Sequence, residues 1–402
     1  MILTLNCGSS SLKYQLFDGC AERVLAKGLV SRIGETRGRI EHRAGAFAET
    51  RDLAIPDHAA AVTLLLEMLG HAASGFDLAA IDGVGHRVVH GGDAFCESVT
   101  IDEGVIAEIE AWVPFAPLHN PANLIGIREA MAVFPNATHT AVFDTAFHQT
   151  MPPEAYVYPL PWELYARNGI RRFGFHGTSC RWVAGEAATL LGRPLDELKL
   201  IVCHLGNGCT IDAIEYGRSI DPSLGFGTVS GVMMGTRSGD FDPVLILHLA
   251  RSLGMDLDAI DRLIHKQSGL VGIAGVGNDM RDVIEGMEAG NPRCRLAFAM
   301  FCRMVRKYVG AYAAVMDGVD AVVFTAGIGE NCARVRAEIC RGLSHLGLAL
   351  DERANEEPSA AARSIGRAGA AVAALVVPTD EERMIALDTS ALMRAGQEGL
   401  AA

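Results

Sequence analysis

The sequence predicts an α/β protein built from two copies of one domain, and three observations carry that prediction. Strand-like runs alternate with helical ones, two hairpins of the same kind open the two halves, and 402 residues with 50% hydrophobic content suffice for two cores. The first hairpin runs from Ile2 to Phe17, where alternating apolar stretches flank Asn6-Cys7-Gly8-Ser9-Ser10-Ser11 and Lys13 follows the turn. A plain hairpin needs one Gly or Asn at its tip. Three serines, a lysine and a glycine that admits close backbone approach add donors suited to phosphate.

The remaining elements follow in order. Asp57 to Leu69 reads as a helix, Gly85 to Val89 as a strand, Asn123 to Val133 as a helix and Thr138 to Phe143 as a strand. Prolines at 152, 153, 159 and 161 mark the crossing between halves. The expected domains are therefore 1–147 with a returning C-terminal helix at 383–402, and 148–382. A second strand–turn–strand unit spans Lys199 to Gly217 around Gly206-Asn207-Gly208, which points to a duplicated domain holding nucleotide in a cleft between the copies. Arg295 to Met316 is helical, and its Arg303, Arg306 and Lys307 exclude a membrane span. Ala321 to Phe324 is a strand that enters the Gly-rich turn Thr325 to Asn331, with a helix from about Ala333. Such a turn serves a ligand or merely joins strand to helix. The last strand, Ala371 to Val377, leads to Pro378-Thr379-Asp380-Glu381-Glu382, where Thr379 and Glu382 fit a capping box and Glu381 is left for a ligand.

A formal net charge of −13 argues against nucleic-acid or anionic-membrane partners, which reward clustered Lys and Arg. No signal peptide is expected, because no basic stretch and long apolar run precede the Asn6 turn, so the cytoplasm is the expected compartment. Ten cysteines show no metal-ligand spacing, and most read as small buried apolar side chains, with neither disulfides nor structural zinc expected. Walker, dinucleotide and zinc-protease motifs are all missing from the sequence, so phosphate chemistry needs another scaffold.

Three segments combine charge, glycine and aromatic residues beyond what packing needs. Gly85 to Gly92 places Arg87 in an apolar strand, where arginine is rare unless paired. Arg171 to Ser179 sets His176 between glycines at a helix start, a position that also suits a structural histidine. Met233 to Pro243 holds Arg237 among small residues that let an anion approach, although a surface salt bridge would look the same.

Taken with Asn6 to Lys13, His204 to Gly208, Gly327 to Asn331 and Thr379 to Glu382, these segments resemble the acetate kinase family nearly end to end. That family is related to propionate and butyrate kinases within the actin, sugar-kinase and heat-shock ATPase superfamily. The resemblance implies duplicated ribonuclease-H-like (actin-like) domains with an interdomain cleft, a homodimer, and reversible phosphoryl transfer from ATP to acetate, giving acetyl phosphate and ADP with Mg²⁺, or Mn²⁺ in its place. By position it implies that Asn6 and Glu381 serve the metal and that Lys13 contacts nucleotide phosphate. ATP binding maps onto His204, Leu205, Gly206, Asn207 and Gly208, onto Asp279, Met280 and Arg281, and onto Gly327, Ile328, Gly329, Glu330 and Asn331. Arg87 matches the carboxylate-binding arginine, and Val89, Leu118 and Phe175 match a methyl pocket where a core role is the bland alternative. His176 and Arg237 match transition-state groups, and Asp144 matches a proton donor or acceptor.

The chemistry fits these roles. Two anions must meet, and charge spreads over the equatorial phosphoryl oxygens. The Arg87 fork can hold the carboxylate while Arg237 and His176 donate to the phosphoryl group, each for about 10²- to 10³-fold in turnover. A carboxylic acid, with a pKa near that of Glu at about 4.3, is already ionised at neutral pH, so Asp144 is better employed orienting Arg87 or a metal-bound water. Two departures stand out: Gly225-Phe226-Gly227-Thr228-Val229-Ser230 lacks a proline common there, and Cys180 replaces a usual histidine. A wall more polar or looser for that reason can shift preference between acetate and propionate, since a methylene is worth only about 1–3 kcal/mol, and the first rival is a propionate kinase. The rival of another class is a nucleotide-switched scaffold, which needs no carboxylate pocket.

Overall fold

The computed structural model describes residues 1–117 and 119–401. Leu118, expected in the methyl pocket, lies outside the described residues. The chain divides into two units, Met1–Gln149 with Asp380–Ala402, and Thr150–Thr379. Asp380, Glu381 and Glu382 thus join the first unit, whereas the sequence reading assigned them to the second. The reason is packing: the helix Glu381–Ala401 lies on the first unit's central strands.

In the first unit, β1 (Ile2–Cys7), β2 (Ser11–Phe17), β3 (Val24–Ser31), β4 (Gly38–Ala44) and β5 (Phe47–Leu53) form an antiparallel meander, and β6 (Gly83–Val88), β7 (Val99–Thr100) and β8 (Thr138–Phe143) complete the sheet. The strand order is β5-β4-β3-β2-β1-β6-β8-β7, with β1, β6 and β8 mutually parallel. β1 and β8 are buried almost throughout, as parallel strands covered on both faces must be. The helix His58–Gly70 is capped by Asp57, whose carboxylate accepts from the Ala60 amide at 2.8 Å. The next expected helix begins at Asn120, three residues early, because Pro121 suits a first turn.

In the second unit, β9 (Lys199–Leu205), β10 (Cys209–Glu215), β11 (Arg218–Pro222), β12 (Ala321–Thr325), β13 (Arg363–Ser364) and β14 (Ala373–Val376) are ordered β11-β10-β9-β12-β14-β13. Both units therefore share a five-strand frame. Three antiparallel strands (β3-β2-β1 and β11-β10-β9) lead into parallel neighbours (β6-β8 and β12-β14). This is the duplicated ribonuclease-H-like arrangement. The Gly-rich connection after β12 is not an open turn: Ala326–Asn331 is helical, entered through Ala326 at φ 62°. Among the described residues no helix is long and apolar enough to cross a membrane.

Candidate active site

In the first unit the strand ends gather the expected charged groups. β1 presents Asn6 and β6 presents Arg87, while Asp144 follows β8 directly. Arg87 donates from Nε to Asp144 Oδ1 at 3.0 Å and from Nη2 to Oδ2 at 2.5 Å, a bidentate fork, and Nη1 donates to Asn6 Oδ1 at 3.2 Å. Burial alone would lower the Arg87 pKa, but Asp144 and Glu381 outweigh it and hold the guanidinium above its ordinary value. The cation is permanently charged and fixed in plane.

Glu381 opens the C-terminal helix beside this group, and desolvation raises its carboxyl to about 7 against the pull of Arg87. The capping-box reading needs correction. Asp380 caps the helix, accepting from the Arg383 amide at 3.1 Å, because the Thr379 hydroxyl is engaged with Ser179 at 2.7 Å. Glu382 instead forms an ion pair with Lys13 at 2.7 Å. Lys13 lies in β2 opposite Asn6, half-exposed, one strand away from Arg87. At the hairpin tip the Gly8 amide is not available to an anion, since it closes the turn on the Ser11 carbonyl at 2.8 Å.

Two buried amides that the sequence reading missed hold these strand ends. Asn123 donates to the Cys7 carbonyl at 2.7 Å and accepts from the Val89 amide at 3.1 Å. Asn120 does the same for His90, accepting from its amide at 3.1 Å and donating to its carbonyl at 2.9 Å. Their spacing in Asn120-Pro121-Ala122-Asn123, at the start of a helix, was the available signal. Val89 itself is buried, as is Phe175.

In the second unit His176 caps the helix Gly177–Leu191 from the left-handed region, at φ 59°. A non-glycine residue held there is a strained feature that the surroundings must fix. Its Nδ1 lies 2.8 Å from the Thr210 hydroxyl, and its ring stacks on His204 with centroids 4.4 Å apart. His204 in turn meets Ser179 Oγ at 2.8 Å through Nδ1. Arg237 donates from Nη1 to the Thr228 carbonyl at 3.2 Å, and no carboxylate among the described residues pairs with it, so the salt-bridge alternative does not hold. Burial lowers its pKa. A Cβ built on Gly208 would sit 3.4 Å from His176 Nε2 and 3.6 Å from Arg237 Nη1, so the imidazole edge and the guanidinium share one space over the β9–β10 turn.

Beside that turn lies a cavity of about 770 Å³ lined by Gly206, Asn207, Asp279, Met280 and Arg281, and on its other side by Gly327, Ile328 and Asn331. Its volume suits a nucleoside. Leu205, Gly208, Gly329 and Glu330 do not line it. Glu330 serves the backbone instead, accepting from the Ala326 amide at 2.9 Å and the Thr379 amide at 3.1 Å. Asp279 caps the helix Met280–Glu288 and pairs with Arg281 at 2.6 Å at the rim.

Known proteins bear on this geometry. The sequence profile of the acetokinase family matches residues 1–387. The acetate kinase of Heliobacterium modesticaldum is 49% identical over 397 residues, covering 98% of this chain and 100% of that protein. Among solved structures, the acetate kinase of Porphyromonas gingivalis has a TM-score of 0.92 at 42% identity, covering 98% of this chain and 99% of the other. A propionate kinase from Francisella tularensis has a TM-score of 0.91 at 39% identity, covering 97% and 99%. With matches of this extent and identity, the chain belongs to the acetokinase family.

Proposed function

We propose that the protein transfers the γ-phosphoryl group of ATP reversibly to acetate, giving acetyl phosphate and ADP. The observation that carries this reading is Arg237, a desolvated guanidinium with no carboxylate partner among the described residues, facing the same space as the His176 edge. Such a pair is built for an anion supplied from outside. An acetate oxygen attacks the γ-phosphorus in line, the bond from phosphorus to the β-bridging oxygen breaks, and its electron pair leaves with ADP. No proton moves. Asp144 accordingly positions Arg87: its two oxygens occupy one edge of the guanidinium, and of five N–H donors two remain for the substrate carboxylate.

Magnesium belongs to the same reading. Asn6 and Glu381 offer an amide carbonyl and a desolvated carboxyl, the hard oxygen donors that Mg²⁺ takes one or two at a time, with phosphate and water completing the shell. When bound, the ion neutralises β/γ-phosphate charge. Without it, desolvation holds the Glu381 carboxyl above its ordinary value, so it takes up a proton more readily than a free glutamate. The ATP supply puts the reaction in the cytoplasm. A homodimer is part of the proposal too, supported by the helix Val244–Leu253, which buries none of its residues and exposes Val244, Leu245, Leu247 and Leu253.

Propionate is the second candidate substrate, favoured by the proline-free wall Gly225 to Ser230. Steady-state rates with acetate, propionate and butyrate, read by trapping acyl phosphate with hydroxylamine, test both readings. Acetate should show the highest kcat/KM. A higher value for propionate overturns the acetate assignment, and ATP turnover without hydroxamate overturns the kinase itself.

A further inference from the structure

Asn6 and Arg87 stand where the sheet of the first unit opens. β1 and β6 pair in parallel only as far as Leu5 and His86, although β1 stays paired with β2 to Cys7 and β6 stays beside β8 to Val88. Each strand thus loses its inner neighbour and keeps its outer one. The first side chains past the last paired residues are Asn6 and Arg87, and the Arg87 Nη1 bond to Asn6 Oδ1 at 3.2 Å spans the opening. The width of the gap decides whether the guanidinium reaches.

Buried peptide groups need partners, and a single carboxamide supplies two here. Asn123 donates from Nδ2 to the Cys7 carbonyl at 2.7 Å and accepts at Oδ1 from the Val89 amide at 3.1 Å, with 2% of its surface exposed. A side-chain amide has the donor and acceptor of a peptide, so it can replace a ladder rung between strands set further apart than direct pairing allows. We propose that Asn123 is a positioning residue for the reaction: its carboxamide is the spacer that holds the ends of β1 and β6 apart and so sets Arg87 against Asn6.

The helix that carries Asn123 is held at this spacing by independent contacts. Asn120, Asn123 and Gly126 lie three apart along the helix Asn120–Val133 and all are buried, so one helix face meets the strand ends. Asn120 fixes the chain beyond β6 through both backbone groups of His90. On the side of β1, a Cβ on Gly126 would lie 2.3 Å from Cys7 Sγ and 3.2 Å from Cys7 Cβ, so glycine is what lets the helix come this close. An outward shift of the helix would break one Asn123 bond or the other. The effect on turnover rests on the kinase reading, whereas the strand spacing is a property of the resting protein.

Crystal structures and steady-state kinetics test it together. In Asn123→Ala the Cys7 carbonyl and the Val89 amide lose their bridge, and the Arg87 contact to Asn6 should lengthen beyond about 3.5 Å, outside hydrogen-bonding range. A contact left at its present length overturns the proposal, whatever the substrate. KM for the acid should rise by about tenfold, the loss expected for one charged hydrogen bond, with KM for ATP within about twofold. A merely structural asparagine gives another pattern: less folded enzyme, hence a lower kcat with both KM values unchanged. That result overturns the proposal, as does a parallel rise of both KM values. Gly126→Ala leaves Asn123 in place but should push the helix off β1 and raise KM for the acid in the same way, and Cys7→Ala added to it should recover most of the loss by removing Sγ. Should Asn123→Ala not fold, this pair decides: an unchanged acid KM in Gly126→Ala, or no recovery in the double variant, overturns the spacer. If the folded parent forms no acyl phosphate, the kinase reading falls, and the crystal structures still decide the role of Asn123.

Discussion

Arg87 and Arg237 are both half-hidden guanidinium groups, but their surroundings divide their tasks. Arg87 is locked by Asp144 and Asn6, so removing it takes away a binding group and leaves a buried carboxylate unpaired. Arg87→Ala should raise KM for the acid by at least about tenfold, the loss expected for a charged hydrogen bond, and steady-state kinetics checks it. Arg87→Lys should do no better, because one ammonium cannot meet both Asp144 oxygens, the Asn6 carbonyl and a substrate carboxylate. Among the described residues Arg237 bonds to a carbonyl and a thioether and pairs with no carboxylate, so Arg237→Ala should lower kcat by about 10²-fold or more and leave ATP affinity, measured by calorimetry, within a few-fold. Both arginines stood out in the sequence because their neighbours were apolar or small. Thr210 and Asn123 did not, since each is one polar residue in an ordinary strand or helix whose partner lies far along the chain.

At the scale of elements, the hairpins and parallel strands were legible because period-2 alternation and Gly/Asn turns follow from local sterics. Helix starts were less so. Thr379 and Glu382 have the spacing of a capping box, but Asp380 offers the same side-chain chemistry one residue later, and the choice depended on Ser179 and Lys13 in space. Asp380→Ala should therefore cost about 0.5–2 kcal/mol in a denaturant melt, while Asp380→Asn, which keeps the cap, should cost little. The segment Ala326–Asn331 looked like a turn for its glycines, yet Glu330 closes it into a helix by accepting from the Ala326 amide. The loop carrying Arg237 is also sterically pinned: a Cβ on Gly235 would lie 2.0 Å from Asn207 Oδ1. The helix Val244–Leu253 carries its own expectation. Light scattering should give twice the 42.8 kDa chain mass, and Leu247→Glu should shift the protein toward monomer.

Over the whole molecule, buried titratable groups of opposite kinds set how stability depends on pH. Burial lowers the pKa of His42, His86 and His139, and takes His90 down to about 4. In the unfolded chain these rings bind protons below about pH 6.5, so folding is progressively penalised as pH falls through that value. Desolvation acts the other way on acids, raising Asp212 to about 8 and Glu381 to about 7. Between pH about 4 and those values the folded protein holds protons that the unfolded chain releases, so stability falls as pH rises. The two slopes oppose each other below about pH 6.5, and above it only the acids act, which puts maximum stability near that pH. Asp212 sits at zero exposure in β10, accepting from the Ser219 hydroxyl at 2.7 Å. Asp212→Asn keeps an acceptor there and removes the charge. Denaturant melts from pH about 6.5 to 8 should show the parent losing up to about 1.4 kcal/mol per pH unit for each titrating acid, and the variant losing distinctly less. Equal slopes would mean that Asp212 is ionised in the folded protein at pH about 7, and that its burial is compensated by a charge the surrounding strands supply.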